Sequence, residues 1–325
     1  MALSDLQVFQ EYAYSTMTET QDQQVEKFND ATRGGIILTS GAHQGDFSST
    51  AIWAKIQGLV RRRNSYGSGA QTLKKLSMLV NTSVKVAAGT PPIEINPGMM
   101  KWIQKSPEEA GVVIGKQMAE DNMADMLNTG ILIYRAGVGN VSALVSDRTA
   151  TPDTGATLAG LLSGAAKFGD RSQDIACWLM HSKSLFDIYG QALTNGSQLF
   201  VFGNIQVTTD GFGRPIVITD SPNLFQVDGV SAGVDAYFQL GLSAGAIIVE
   251  QGNEFTDNIE TKNGDENILR TYQAEWVYQL GLKGFTWDTA TGGKSPTNAA
   301  LGTAANWDRV STSNKDLAGV MVKSK

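Results

Sequence analysis

The sequence predicts an α+β fold, large enough for two domains or for one large domain with extensions. The chain has 325 residues and 42% of them are apolar, so it can bury a sizeable core. A long helical pattern follows Ser106, and residues 268–282 alternate between two faces as a long strand does. Both helices and strands are therefore expected.

The charge and hydropathy of the chain argue against two classes of protein. Its formal net charge is -6, whereas a nucleic-acid binder normally carries a basic surface for phosphate contacts. No run of about 18 apolar residues occurs and no secretory signal is recognisable, so we expect a protein made in the cytoplasm, without a membrane partner. Only 18% of the residues are charged, which is typical of surfaces covered by neighbouring subunits.

The first 75 residues contain few core-forming side chains. Residues 3–31 predict a helix with a polar middle, so we expect it to lie across a neighbour or to become ordered on assembly. A strand is expected at 36–39, followed by a glycine-containing loop or hairpin tip. The apolar pattern resumes at 47–56, and a second flexible loop is expected at 64–71. Residues 34–75 therefore predict an extended excursion with little core of its own.

The strongest local signal is a helix start at Ser106-Pro107-Glu108-Glu109. Ser106 and Glu109 have the spacing of a capping box, and proline suits the first helical position. The helix is expected to run to about Leu132. Apolar residues lie around much of its circumference, so it must be covered on more than one side.

Further elements are predicted from apolar periodicity. Helices are expected at residues 155–168 and 172–194, and strands at 83–87, 93–95, 198–202, 214–219, 234–240, 244–250 and 268–282. Both faces of the last strand are mixed in character, which indicates contacts with different neighbours along its length. The sequence from Asp288 onward is rich in threonine, glycine, asparagine and alanine, so little of it is expected in the core.

No residue pattern predicts catalysis, a cofactor or a metal site. Cys177 is the single cysteine and lies in an apolar run, so it is interpreted as a buried core residue. His43 is interpreted as an exposed loop residue, and His181 as a structural polar contact on the predicted helix. The glycine pairs lack the remaining residues of a nucleotide-binding motif. A solvated or inter-subunit face is expected for the carboxylates of the long helix, Glu120, Asp121 and Asp125.

Two basic clusters supply the candidate contact residues, which are Arg61, Arg62, Arg63, Lys74 and Lys75. Three interpretations stay open for them. Pairing with carboxylates of a neighbouring subunit is favoured over a solvated surface, and contact with nucleic acid is the third.

The order of these elements resembles the tailed-bacteriophage major capsid proteins with the Hong Kong 97-type fold. Residues 34–86 resemble the extended loop of that family and its return, and residues 106–115 resemble its spine helix. Residues 177–186 resemble its axial-domain helix, and residues 213–220 resemble its segment in which glycine and proline precede a strand.

The resemblance implies a division into five parts: an N-terminal arm (1–33), an extended loop (34–75), a peripheral domain (76–140 and 264–287), an axial domain (141–263) and a C-terminal tail (288–325). It implies hexamers and pentamers of an icosahedral phage head, located in the virion and assembled in the host cytoplasm. Its implied partners are scaffolding and portal proteins and double-stranded DNA packaged without sequence specificity. A decoration protein is compatible with it, and no cofactor or enzymatic activity is implied.

Two alternatives stay open from the sequence. An encapsulin-like nanocompartment shell protein shares the fold and would differ in its cargo enzymes and neighbouring genes. An unrecognised mixed α/β enzyme would instead be a monomer or small oligomer with a deep polar pocket.

Overall fold

The computed structural model describes residues 3–41, 45–53, 60–76, 78–150, 155–194, 213–263, 268–311 and 313–325. The helices are α1 (Leu3–Ala31), α2 (Pro97–Lys105), α3 (Pro107–Gly139), α4 (Leu158–Ala166), α5 (Ser182–Thr194) and α6 (Asn298–Leu301). In these described ranges, no helix is both long enough and apolar enough to span a membrane. The mixture of helices and strands confirms the predicted α+β class.

The strands form three sheets within the described residues. They are β1 (Ile36–Ser40), β2 (Phe47–Trp53), β3 (Met78–Gly89), β4 (Ile93–Glu94), β5 (Val145–Asp147), β6 (Ile175–Met180), β7 (Ile216–Ile218), β8 (Phe225–Ser231), β9 (Val234–Ser243), β10 (Ile247–Lys262), β11 (Leu269–Leu282), β12 (Phe285–Trp287), β13 (Trp307–Arg309) and β14 (Gly319–Ser324). The predicted strand at 198–202 and the loop residue His43 lie outside the described residues.

The first sheet has the order β1-β10-β11-β3-β2, with β4 added beside β11. β1 runs parallel to β10, and the other pairs along that order are antiparallel. Ile36 and Leu38 of β1 are buried, so the expectation that residues 34–75 hold little core is wrong for this strand. β11 is the long strand predicted at 268–282. Its faces are not mixed, because alternate side chains from Tyr272 to Leu282 are all buried within the chain.

Helix α1 packs along α3, and this contact corrects the prediction for the N-terminal helix. Phe9, Ala13 and Met17 of α1 are fully buried against the chain's own core. The two helices approach closely because Gly115 of α3 faces the backbone of Ala13, where an added Cβ would lie 2.4 Å from the carbonyl oxygen. The apolar periodicity underestimated this burial because Ala13 and Gly115, which permit the close approach, are too small to appear as apolar anchors.

Helix α3 begins at Pro107 as predicted but continues to Gly139, beyond the expected end near Leu132. The Ser106 side chain makes no capping hydrogen bond, so the predicted capping box does not form. The extra turns are buried, and the hydroxyl of Tyr134 lies 2.9 Å from the carbonyl oxygen of Gly241 and 3.1 Å from that of Val320. These contacts join the helix to both middle strands of the second sheet.

The second sheet has the order β5-β14-β9-β6-β7, with β8 beside β9. The predicted helix at 172–194 is wrong in its first half, because residues 175–180 form β6 and only Ser182–Thr194 is helical. Residues 177–186, which resemble an axial-domain helix, therefore form a strand followed by a helix. β6 lies between β9 and β7 and is buried along nearly all its length, so it shows neither a strand alternation nor a helical stripe.

The C-terminal residues complete the core instead of lying outside it. β14 is hydrogen-bonded between β5 and β9, and Val320, Met321 and Val322 are buried. Trp287 and Trp307 pack edge to face with ring centroids 5.0 Å apart. The expectation that residues 288–325 contribute little to the core is therefore wrong.

Candidate assembly surface

The most exposed part of the described chain is a segment that we call the basic segment (residues 60–76). Every residue in it is exposed, and its only regular feature is a turn in which the amide of Tyr66 donates to Asn64 Oδ1 at 3.0 Å. Val60, Tyr66 and Leu73 are 90%, 99% and 88% exposed. Large apolar side chains in this position are typical of a surface that is covered in an assembly.

All five predicted contact residues lie in the basic segment. Arg61, Arg62 and Arg63 lie near its start, and Lys74 and Lys75 near its end, so the fold places both clusters in one exposed connection between β2 and β3. The segment contains no aspartate or glutamate. Its positive charge is therefore not neutralised by acidic residues of its own sequence.

The base of the basic segment is held by the first sheet. β2 pairs with β3 over seven residues, from Phe47 opposite Val84 to Trp53 opposite Met78. Lys85 of β3 forms an ion pair with Glu254 at 2.8 Å, and Asp46 forms one with Lys294 at 2.8 Å. The hydrogen bond and charge of Lys294 lower the pKa of the Asp46 carboxyl. These ion pairs help to orient β2 and β3, and as pairs near the surface they contribute little to the free energy of folding.

An exposed acidic face lies elsewhere on the molecule, along α3. Glu108, Glu109, Glu120 and Asp121 are all exposed. Asp125 is half-buried and accepts a 2.7 Å hydrogen bond from the hydroxyl of Tyr278. Of the three carboxylates predicted to form a charged face, Glu120 and Asp121 thus point to solvent, whereas Asp125 joins the helix to β11.

Cys177 and His181 have chemically reactive side chains, and both occupy structural positions. Cys177 is fully buried in β6, and burial raises the pKa of its thiol to about 12. His181 follows β6 rather than lying within a helix. Its Nδ1 accepts a hydrogen bond from the amide of Lys183 at 3.1 Å, and its ring packs edge to face on Phe225 and Tyr237. This arrangement caps the start of α5 and matches the predicted structural contact.

A further feature, which we call the Arg135 cleft, lies where the end of α3 meets β8, β9 and β14. It has a volume of about 670 Å³ and an open mouth. Arg135 is half-buried and donates to the carbonyl oxygen of Asn223 at 3.0 Å and to Gln226 Oε1 at 2.9 Å, while its guanidinium lies 4.2 Å above the ring of Phe238. Burial lowers the pKa of Arg135.

The Arg135 cleft was not predicted from the sequence. Its walls come from residues far apart in the chain, such as Arg135, Phe225 and Lys323, and no spacing rule connects them. One signal was available, because Arg135 is the only charged residue between Asn128 and Asp147. An isolated cation in an apolar stretch usually has a specific partner.

Comparisons with known proteins give a consistent result. Residues 5–321 match the model of the Gp13-like family, described as major capsid protein 13-like. A comparison with curated proteins found no match. Among solved structures, the capsid of Ralstonia phage GP4 is similar with 11% identity and a TM-score of 0.51, over 89% of this chain and 87% of that chain. The cyanophage Pam1 capsid matches with 11% identity and a TM-score of 0.49, over 91% and 87%.

Proposed function

The chain belongs to the Gp13-like family of major capsid proteins, and from this premise we propose that it forms the hexamers and pentamers of an icosahedral head around double-stranded DNA. It is a structural subunit of a phage head with the Hong Kong 97-type fold, and it is not an enzyme. It assembles with copies of itself into a capsid shell, and its place is in the virion. The family match over residues 5–321 carries this conclusion.

The two main sheets suggest how the predicted domains are built. We assign the first sheet with α1, α2 and α3 to the peripheral domain, and the second sheet with α4 and α5 to the axial domain. Five elements lie outside the boundaries drawn from the sequence for these two domains. α1 packs on α3, β1, β2 and β10 pair in the first sheet, and β14 pairs in the second. The basic segment is assigned to the tip of the extended loop.

We propose that the basic segment contacts a neighbouring subunit in the shell. Its support is the combination of exposure, large apolar side chains and five basic residues without an acidic residue in the same segment, in a chain whose net charge is -6. Arginine suits such a contact because its planar guanidinium can hold a carboxylate through two hydrogen bonds. Exposed carboxylates of a neighbouring copy, such as Glu108 and Glu109, are chemically suitable acceptors.

The remaining partners follow from the same proposal. We expect scaffolding and portal proteins to act in assembly in the host cytoplasm, and a decoration protein is compatible with an exposed outer surface. Packaged DNA is expected to contact the shell without sequence specificity, since the chain as a whole is acidic.

Electron microscopy of the purified protein tests the shell proposal. Closed shells or rings of six or five subunits are the expected result. A discrete monomer or small oligomer under all assembly conditions would contradict it. Terminase and portal genes beside the gene for this chain would further separate a phage head from a nanocompartment.

Charge reversal tests the proposed contact. Replacing Arg61, Arg62 and Arg63 by glutamate should prevent shell formation, while circular dichroism shows a folded subunit, because the three side chains are exposed and none belongs to the hydrophobic core of the described residues. A control with the same charge change replaces Lys27, Lys101 and Lys105, which are exposed on α1 and α2, by glutamate. Normal shells from the arginine variant would refute the contact.

A further inference from the structure

We propose that the Arg135 cleft is a receptor for an acidic side chain of a second copy of this chain, so that Arg135 forms an ion pair only in the assembled shell. The inference rests on the proposed assembly into a head. It concerns a surface different from the basic segment, formed by α3, β8, β9 and β14.

Arg135 has no acidic partner among the described residues. Its guanidinium is half-buried, yet within the described residues its hydrogen-bond acceptors are a backbone carbonyl and the amide oxygen of Gln226, both neutral. A desolvated cation without a counter-ion is costly, and arginine in proteins is normally paired when it is buried. The lowered pKa of Arg135 has the same cause. An incoming carboxylate would compensate this cost.

The charged side chains that line the cleft are positive. Lys323 is the other cation of the lining, and its Nζ donates to the carbonyl oxygen of Gly229 at 2.9 Å. No aspartate or glutamate is among the described residues that line the cleft. Lys323 acts electrostatically on Asp147, whose Oδ1 already accepts from the amide of Thr149 at 2.9 Å and from its hydroxyl.

The cleft is large, and part of its wall is apolar. Leu132, Phe225, Phe238 and Met321 surround the two cations, and about 670 Å³ is enough for one or two whole side chains. Such a lining can hold the carboxylate of an aspartate or glutamate at the two cations and its aliphatic stem against the apolar side chains. A second copy supplies such side chains, since the chain has 32 acidic residues against 26 basic ones.

The direct test is a reconstruction of wild-type shells at a resolution that shows side chains. We expect a carboxylate of a neighbouring copy within about 4 Å of a guanidinium nitrogen of Arg135, as in an ion pair. An empty cleft, a nucleic-acid phosphate or a side chain of a different protein at that place would overturn the proposal.

A variant test measures the effect on assembly. Arg135→Gln should raise the subunit concentration needed for shell formation by about tenfold or more, as expected when one member of a buried interfacial pair is lost. Arg135→Lys keeps the charge but loses the planar guanidinium group, so its assembly concentration should lie between those of Arg135→Gln and the wild type. Arg33→Gln is the matched control, because the exposed guanidinium of Arg33 also donates to a backbone carbonyl, that of Gly213.

The outcomes separate this inference from the proposed function. Thermal unfolding of the unassembled variants shows whether each subunit is folded. If the Arg135→Gln subunit does not fold, the wild-type reconstruction alone decides whether a carboxylate occupies the cleft. If the wild-type chain assembles and both Arg135 variants assemble at the same subunit concentration, the inference about the cleft is refuted and the proposed function is not. Failure of the wild-type chain to form any shell would refute the proposed function.

Discussion

At the scale of single residues, burial determines what Cys177 can do. The thiol lies in β6 with no exposed surface, and burial raises its pKa to about 12. At pH 8 its thiolate fraction is then on the order of a thousandfold lower than that of a free cysteine, and the thiolate is the reactive form. We expect iodoacetamide to modify the folded subunit at least a hundred times more slowly than the urea-unfolded chain, measured by mass spectrometry. Equal rates would show that the thiol is accessible.

Two helical glycines form a matched pair for testing the contact between α1 and α3. An added Cβ at Gly115 would lie 2.4 Å from the carbonyl oxygen of Ala13, whereas no atom of the described residues lies within 4 Å of one at Gly190 in α5. Alanine is the better helix former at both positions by about 0.5–1 kcal/mol. We expect Gly190→Ala to stabilise the subunit by that amount and Gly115→Ala to destabilise it by about 1–3 kcal/mol, because close-packed backbone must move.

The free energy of unfolding in urea measures both effects on the unassembled subunit. Hydrogen exchange of α1 should accelerate only in Gly115→Ala, because that variant separates the two helices. If both variants were equally stable, α1 would not be packed on α3 as described.

At the scale of elements, the sequence predicted the type of those with a long period. α1, α3 and β11 were expected because their periods extend over many turns or residues, which averages out local exceptions, although the burial of α1 and β11 within the chain was not predicted. β6 was mistaken for part of a helix because a short strand covered on both faces has no period at all. β14 was missed because the strands beside it, β5 and β9, and the helices that pack on it, α3 and α4, lie far away in the chain.

The role of β14 can be tested by introducing a charge. Val320 is fully buried where β14 pairs with β9, whereas Val227 of β8 is 66% exposed. Val320→Asp places a carboxylate in the core and should cost at least about 3 kcal/mol, enough to prevent a marginally stable subunit from folding. Val227→Asp should change stability by less than about 0.5 kcal/mol. Soluble yield and thermal unfolding give the comparison, and a folded Val320→Asp subunit would contradict the central place of β14.

At the scale of the whole molecule, only one of the two candidate contact surfaces could be found from the sequence. The basic segment is continuous in the chain, so its charge and its lack of acids are visible without a structure. The Arg135 cleft combines α3, the strands β8 and β9 and the last strand β14. Its character arises only when folding brings Arg135 and Lys323 to the same recess.

The net charge of the subunit leads to a prediction about salt. Replacing Arg61, Arg62 and Arg63 by glutamine makes the net charge three units more negative than the -6 of the wild type. This change adds repulsion between subunits, which salt relieves, and it removes attractive pairs, which salt weakens. Both effects make added salt more favourable to assembly in the variant than in the wild type. The concentration required for assembly should therefore fall more steeply with salt in the variant than in the wild type.

Light scattering between about 0.05 and 0.5 M NaCl measures this dependence, because the Debye length shrinks over that range from above 10 Å towards 3 Å. Replacing Lys27, Lys101 and Lys105 by glutamine changes the net charge equally but leaves the basic segment intact. That control should show only the added repulsion, with a slope between those of the wild type and the arginine variant. If the two variants had identical slopes, net charge alone would govern assembly and the basic segment would make no specific contact with a neighbour.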